Sequence, residues 1–288
     1  MVENMIHRDR STGWKHAKLS GHENEERIKN LLDNNAEYAK DFLKRINHQN
    51  EIILETSIGG LHETEVPSVL DQKKTKSKTD LKVFLNNKTT LNISIKKSLG
   101  GQVYFVRAGL FIQTFEKQFN KVIPTVVKRA ICLFWAAADD SIEIINNYGD
   151  KTDVKNYNMQ LRHKSINATT LKKYNDELYN AMLKWFIENA SEIALLSFSM
   201  GAVGDKSEWS HLIWYKNMLD ENDIDALFAI EDLCLAVKEC AAKDTFYSTK
   251  NGGTTIQLPF GFVQWHQEQM QFHHSYNKIL NLQSKKST

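Results

Sequence analysis

Hydrophobic and polar positions divide the chain into segments of different period. From His22 to about Ile46, the apolar residues Ile28, Leu31, Leu32, Ala39, Phe42, Leu43 and Ile46 form one stripe at helical spacing, with Ser20 ahead of it as a capping group. Glu51 to Ile58 reads as a strand ending at a Gly59-Gly60 turn. Between Lys78 and Ser98 the period becomes two. Leu81, Val83 and Leu85 alternate with other residues, as do Leu91, Ile93 and Ile95, around the turn-like Asn86-Asn87-Lys88. This is the pattern of an antiparallel hairpin.

Parity constrains that hairpin. Side chains alternate between faces, so the two apolar sets share a face only if opposed residue numbers add to an even value. A two-residue turn at Asn86-Asn87 would pair Leu85 with Lys88 and separate them. The expected solution is a three-residue loop, Asn86 to Lys88, or an equivalent bulge. Asp80 then faces the neighbourhood of Ser94, with Lys96 next on the same face and Lys97 on the other.

Elsewhere, Leu61 to Lys78 reads as a loop containing Pro67 and the cluster Lys73, Lys74, Lys76 and Lys78. Gly100-Gly101 marks a break before Gln102 to Phe105. Helices are expected over about Arg107 to Asn120, Thr125 to Ala138, Ser141 to Tyr148, Leu171 to Glu188 and Ile224 to Ala242, with Asp150 to Asn167 as a polar loop. Glu192 to Met200 reads as a buried fourth strand of the core, and His211 to Tyr215 as a further strand. Asn251-Gly252-Gly253, between Phe246-Tyr247 and the run Thr255 to Leu258, signals a second hairpin. An aromatic, Gln- and His-rich stretch follows from Phe260 to His274.

Composition narrows the class. The chain has 288 residues, 41% hydrophobic and 10% aromatic, which is enough apolar material for a real core. The formal charge of +2 means that any basic surface is local. The most apolar run, Ala130 to Ala138, is far shorter than the roughly 20 residues that span a bilayer. Cys132, Cys234 and Cys240 lack CxxC spacing, which argues against a disulfide framework or zinc ribbon and suits a cytoplasmic setting. A metabolic enzyme has little support, since neither a glycine-rich phosphate loop nor a GxSxG elbow is present.

Thr79-Asp80 on one strand and Ser94-Ile95-Lys96 on its partner resemble the PD-(D/E)XK nuclease superfamily and, within it, the type II restriction endonucleases. Spacing alone is weak among 37 lysines and arginines; shared parity strengthens it. The resemblance implies an α/β fold with a restriction-endonuclease-like core. Its mixed central sheet is flanked by helices, here with helical and C-terminal hairpin additions. It implies one nuclease domain over residues 1–288, with a catalytic core of about 22–200 and possible DNA-recognition elements in 201–288. The implied activity is Mg²⁺-dependent hydrolysis of double-stranded DNA at a specific site. Asp80 would hold the ion and Lys96 would assist the attacking water. Ser94 occupies the position of the usual second acid and departs from it. Glu25, three residues before Ile28 and seven before Leu32, is placed on the core side of the first helical turn. The family's use of a first-helix acid makes it the expected second metal ligand; the alternative for Glu25 is an ordinary salt bridge or helix-dipole interaction.

Expected DNA contacts are Lys15 and Lys18 in a basic arm from Met1 to Gly21, Lys76, Lys97, Gln102, Arg107, Gln264 and His266. Lysines neutralise phosphates, glutamines read adenine edges, and aromatics stack or wedge against bases. Double-stranded DNA is the expected partner, no membrane is involved, and a homodimer is open as the assembly. The alternative is a non-catalytic DNA-binding protein on a degenerate nuclease fold, which the uncharged Ser94 keeps in play.

Overall fold

The computed structural model describes residues 10–59, 65–71, 73–219, 224–248 and 253–284; over 10–20 it describes the helix backbone alone. The first apolar stripe is carried by two helices, α1 (Arg10–Asn34) and α2 (Ala36–Arg45). Asn35 separates them because its extended backbone frees its side chain to accept from Tyr38 N at 3.0 Å, an N-cap that starts a new helix. Ser20, expected as a cap, and Gly21, expected as the end of the basic arm, lie inside α1. The expected basic arm is therefore helical from Arg10 onward, and its first nine residues lie outside the described residues.

Next come β1 (Ile53–Ile58), the short ribbon β2 (Glu65–Pro67) with β3 (Lys74–Lys76), then β4 (Leu81–Leu85), β5 (Thr90–Lys96) and β6 (Gly100–Arg107). The β2–β3 ribbon replaces part of the expected loop; Val66 is buried in it, and Lys74 faces Glu65 at 3.8 Å. Gly100-Gly101 opens β6 instead of breaking the chain. A helical stretch follows: α3 (Ala108–Phe119), α4 (Thr125–Phe134), α5 (Ser141–Tyr148), α6 (Val154–His163), α7 (Ala168–Tyr174), α8 (Asp176–Glu188) and α9 (Ala190–Leu195). Residues expected as loop between Asp150 and Asn167 include α6, which Asp153 caps by accepting from Asn156 N. The single helix expected over Leu171 to Glu188 is split by Asn175, which caps α8.

The expected fourth strand, Glu192 to Met200, is helical. It runs through α9 into a π-helical turn over Leu196–Met200, and residues 196–200 are all buried. A segment buried all round has no polar face to reveal its period, so strand and helix look alike in sequence. The chain ends with β7 (Leu212–Lys216), β8 (Asp225–Ala229), α10 (Ile230–Asp244), β9 (Phe246–Tyr247), β10 (Thr255–Leu258), β11 (Gly261–His266), β12 (Gln269–Ser275) and α11 (Tyr276–Ser284). The helix expected from Ile224 thus begins with a strand.

Two five-stranded sheets organise these elements. The first has the order β1-β4-β5-β7-β8 and is mixed, with β5 and β7 parallel and the other pairs antiparallel. Leu81 pairs with Ile93 and Val83 with Leu91, the even sums required by the apolar pattern. Leu85 N donates to Thr89 O, Lys88 N donates to Leu85 O, and Lys88 has φ of 70°, so the connection is the three-residue loop. Leu81, Val83, Leu85, Leu91, Ile93 and Ile95 pack with Leu212 and Trp214 against Ile28, Leu32, Phe42 and Leu43 of α1 and α2.

The opposite face of β7, through Ile213 and Tyr215, joins a larger core shared with the helices from α3 onward and the second sheet. That sheet has the order β6-β12-β11-β10-β9, and every neighbouring pair in it is antiparallel. Among the described residues no helix is long and apolar enough to cross a membrane.

Candidate active site

Asp80 stands just before β4, and several contacts hold its approach. Asp80 N donates to Ile93 O at 2.8 Å, and Gly59 N donates to Asp80 O at 2.9 Å. A Cβ on Gly59 would lie 2.3 Å from Thr79 O, so only glycine lets the end of β1 come this close. Thr79 is buried; its hydroxyl donates to Glu208 O at 3.1 Å and lies 3.2 Å from Ser210 Oγ. Ser77 Oγ also donates to Glu208 O, at 3.0 Å.

Across the hairpin, one carboxylate oxygen of Asp80 is already occupied. Its Oδ2 accepts from Ile95 N at 2.7 Å and from Ser94 Oγ at 3.2 Å. Lys96 Nζ donates to Ser94 Oγ at 2.6 Å and lies 4.0 Å from Asp80 Oδ2. Lys96, Ser94 and Asp80 therefore form one hydrogen-bonded chain. Among the described residues Asp80 Oδ1 takes part in no hydrogen bond, which leaves a hard anionic oxygen for another ligand.

Glu25 reaches the same place from α1. It sits well inside that helix and not in its first turn, so the helix N-terminus does not account for it. Its side chain is 12% exposed, and Oε2 lies 3.2 Å from His22 Nδ1. Burial, then the charge of Asp80, pushes its pKa up to about 8, against an opposing pull from Lys96. The charge of Asp80 thus reaches Glu25 although the two residues come from different layers of the fold.

Lys78, two residues ahead of Asp80, closes the expected lysine cluster beside the candidate site and is not among the individually expected DNA contacts. Burial and the charge of Lys96 bring its pKa down to about 7, and Asp80 opposes the shift. His22 and His274 were not singled out as site neighbours either. Spacing offered a signal for Lys78, which stands at the same two-residue step from Asp80 that links Ser94 to Lys96. His22 stands one helical turn before Glu25 on α1, a spacing that is legible, whereas His274 depends on packing between distant segments.

The expected DNA contacts fall in separate places. Lys97 lines a recess of about 250 Å³ with Lys96, Ser98, Tyr215, Lys216 and Asn217. Lys76 is exposed on β3. The side chains of Lys15 and Lys18 lie outside the described residues. Gln102 and Arg107 on β6, and Gln264 and His266 on β11, flank β12 on the outer face of the second sheet. There Gln271 Nε2 donates to Gln102 Oε1 at 2.9 Å, and Gln264 Nε2 donates to Gln271 Oε1 at 2.9 Å. Phe262 stacks on His273 at 4.6 Å between ring centres, and Phe105 lies 5.9 Å from His266. Phe262, Gln271 and His273 lie in the expected Gln- and His-rich stretch, and with Phe105 they become neighbours of the expected residues through sheet pairing.

No protein-family model and no curated protein matches the chain. Among solved structures, the chain is similar to the restriction endonuclease MspI in complex with its cognate DNA. The identity is 12%, over 92% of this chain and 93% of that one, with a TM-score of 0.46. At that score the likeness assigns no residue a role.

Proposed function

We propose that this protein is a Mg²⁺-dependent endonuclease of the type II restriction class, cutting double-stranded DNA at a specific site on a restriction-endonuclease-like fold. The observation that carries the reading is the Lys96–Ser94–Asp80 chain at the end of the central hairpin, with the half-buried Glu25 close enough to feel the charges of Asp80 and Lys96.

The donor set fits the ion. Among the described residues no three His, Cys, Asp or Glu side chains cluster as a metal cage. Mg²⁺ needs none, since it is held by one or two carboxylates together with water and substrate phosphate. A cation shared with Asp80 would offset the charge that disfavours ionised Glu25, and both side chains offer hard oxygen. Asp80 and Glu25 would hold it. When bound, Mg²⁺ lowers the pKa of a coordinated water and offsets charge on the phosphate.

The chain's own groups do the rest. Ile95 N and Ser94 Oγ fix the Asp80 carboxylate by engaging Oδ2, so Oδ1 keeps one direction. Ser94 Oγ accepts from Lys96 and holds the ammonium beside that carboxylate. In this position Lys96 orients the attacking water and neutralises a phosphate oxygen. Lys76, Lys97 and the N-terminal Lys15 and Lys18 contact the DNA backbone. Gln102, Arg107, Gln264 and His266 face the bases from the second sheet, so β6 and, through Gln264 and His266, residues 201–288 contribute recognition to a single nuclease domain.

A second reading, a DNA-binding protein without catalysis, draws on one feature. Ser94 is neutral, and the chain from Lys96 to Asp80 closes on itself. Divalent-dependent cutting of plasmid DNA, lost in Asp80→Asn, separates the two.

A further inference from the structure

Lys78 lies in a built slot. Its aliphatic stem passes Gly201, where a Cβ would meet Lys78 Cε at 3.0 Å. Gly201 has φ of +52°, the left-handed region that glycine enters at no steric cost, so the turn that ends the π-helical segment depends on the same residue that makes room for the lysine. Gln118 Nε2 clamps this turn by donating to Gly201 O at 3.1 Å and Val203 O at 2.8 Å. On β6, the Lys78 ammonium lies 4.6 Å from the centre of the Tyr104 ring and donates to Val103 O at 2.7 Å.

Three segments distant in sequence thus hold one lysine between the catalytic hairpin and the second sheet. An ammonium carries several donor hydrogens, and the Val103 carbonyl uses one. Among the described residues no carboxylate forms an ion pair with Lys78. A largely desolvated cation without an ion-paired carboxylate is costly. Its neighbour Lys96 adds a second positive charge, and Asp80 lies close enough to act on both. An anion is what this arrangement lacks.

We infer that Lys78 is a second phosphate-binding lysine of this site, holding a non-bridging oxygen of a substrate phosphate beside Lys96. The inference rests on the nuclease reading for the identity of the substrate, though not for the chemistry of the anion. Lys78 also touches β6, the strand that carries Gln102 and Arg107. A phosphate drawn onto Lys78 is therefore placed by the same strand that faces the bases.

Variants of the full chain in an Asp80→Asn background, which removes cutting, test this. Lys78→Gln keeps a donor for Val103 O and removes the charge, whereas Lys78→Arg keeps the charge. Duplex DNA binding is followed by fluorescence anisotropy across salt concentrations without divalent ions. Inorganic pyrophosphate, followed by phosphorus NMR line broadening, serves as a probe free of nucleic acid. Lys78→Gln is expected to fold normally, weaken duplex binding at least about tenfold and reduce the salt slope by about one, while Lys78→Arg retains both. It is also expected to abolish pyrophosphate broadening. If the parent binds no DNA but shows pyrophosphate broadening that Lys78→Gln abolishes, the anion site stands and the nuclease reading falls. Duplex affinity, salt slope and pyrophosphate broadening all unchanged in a folded Lys78→Gln would reduce Lys78 to a structural tie and overturn the inference.

Discussion

Tyr215 and His274 share a buried hydrogen bond of 2.7 Å that joins the two sheets, from β7 to β12. His274 is held neutral: burial, then the charges of Lys96 and His273, push its pKa down to about 3. Its folded pKa lies below its unfolded value of 6.5, so its contribution to stability is complete above pH 6.5 and is lost as pH falls from there. Each pH unit in that window removes at most about 1.4 kcal/mol through this group. Chemical denaturation of the wild type is expected to show stability falling between pH 6.5 and 5, and His274→Gln a shallower fall. Equal slopes would show that His274 is not buried as a neutral ring.

Glu25 gives the opposite sign. Its folded pKa of about 8 lies above its ordinary 4.5, so stability from this group is complete below pH 4.5 and is lost as pH rises through 8. In the presence of a chelator, Glu25→Gln should remove that loss and be the more stable protein at pH 8. The same change should raise the Mg²⁺ concentration needed for cutting. A variant with an unchanged Mg²⁺ requirement would take Glu25 out of the metal site.

Lys96→Ala is expected to reduce cutting by roughly a hundredfold or more while DNA affinity changes little. Lys97→Ala should be milder, since only Lys96 is bonded to Ser94 and close to Asp80. Equal losses in two folded variants would contradict this division of roles.

The hairpin was legible because parity is strict: one apolar face leaves one register, and the register delivers Asp80, Ser94 and Lys96 together. Helix boundaries were less so. Asn35, Asn167 and Asn175 each start a helix by capping it, yet the apolar stripe runs on across Asn35, and through Tyr174 and Leu178 across Asn175. Leu196 to Met200 gave no periodicity, being buried on every side. Glu25 has the expected core-facing phase, but α1 begins farther upstream, so it does not lie in the first turn. His274 owes its place to a contact with Tyr215 between segments far apart, which no local pattern encodes.

On the second sheet, the proposed surface for base recognition is the Gln264–Gln271–Gln102 ladder. Gln264→Ala and Gln271→Ala should each relax sequence discrimination by about 1–3 kcal/mol, read as altered relative cutting of near-cognate sites. Lys76→Ala should instead weaken binding evenly across sequences and lower the salt slope by about one. Discrimination unchanged in both glutamine variants would move base recognition elsewhere.

The central claim is hydrolysis at Asp80 and Lys96, and supercoiled plasmid incubated with Mg²⁺ tests it most directly. The wild type is expected to yield discrete fragments with one common end sequence. Asp80→Asn, or a chelator, should leave the plasmid intact. Plasmid bound but uncut by the folded wild type at every Mg²⁺ concentration, or cut equally well by Asp80→Asn, would contradict the account.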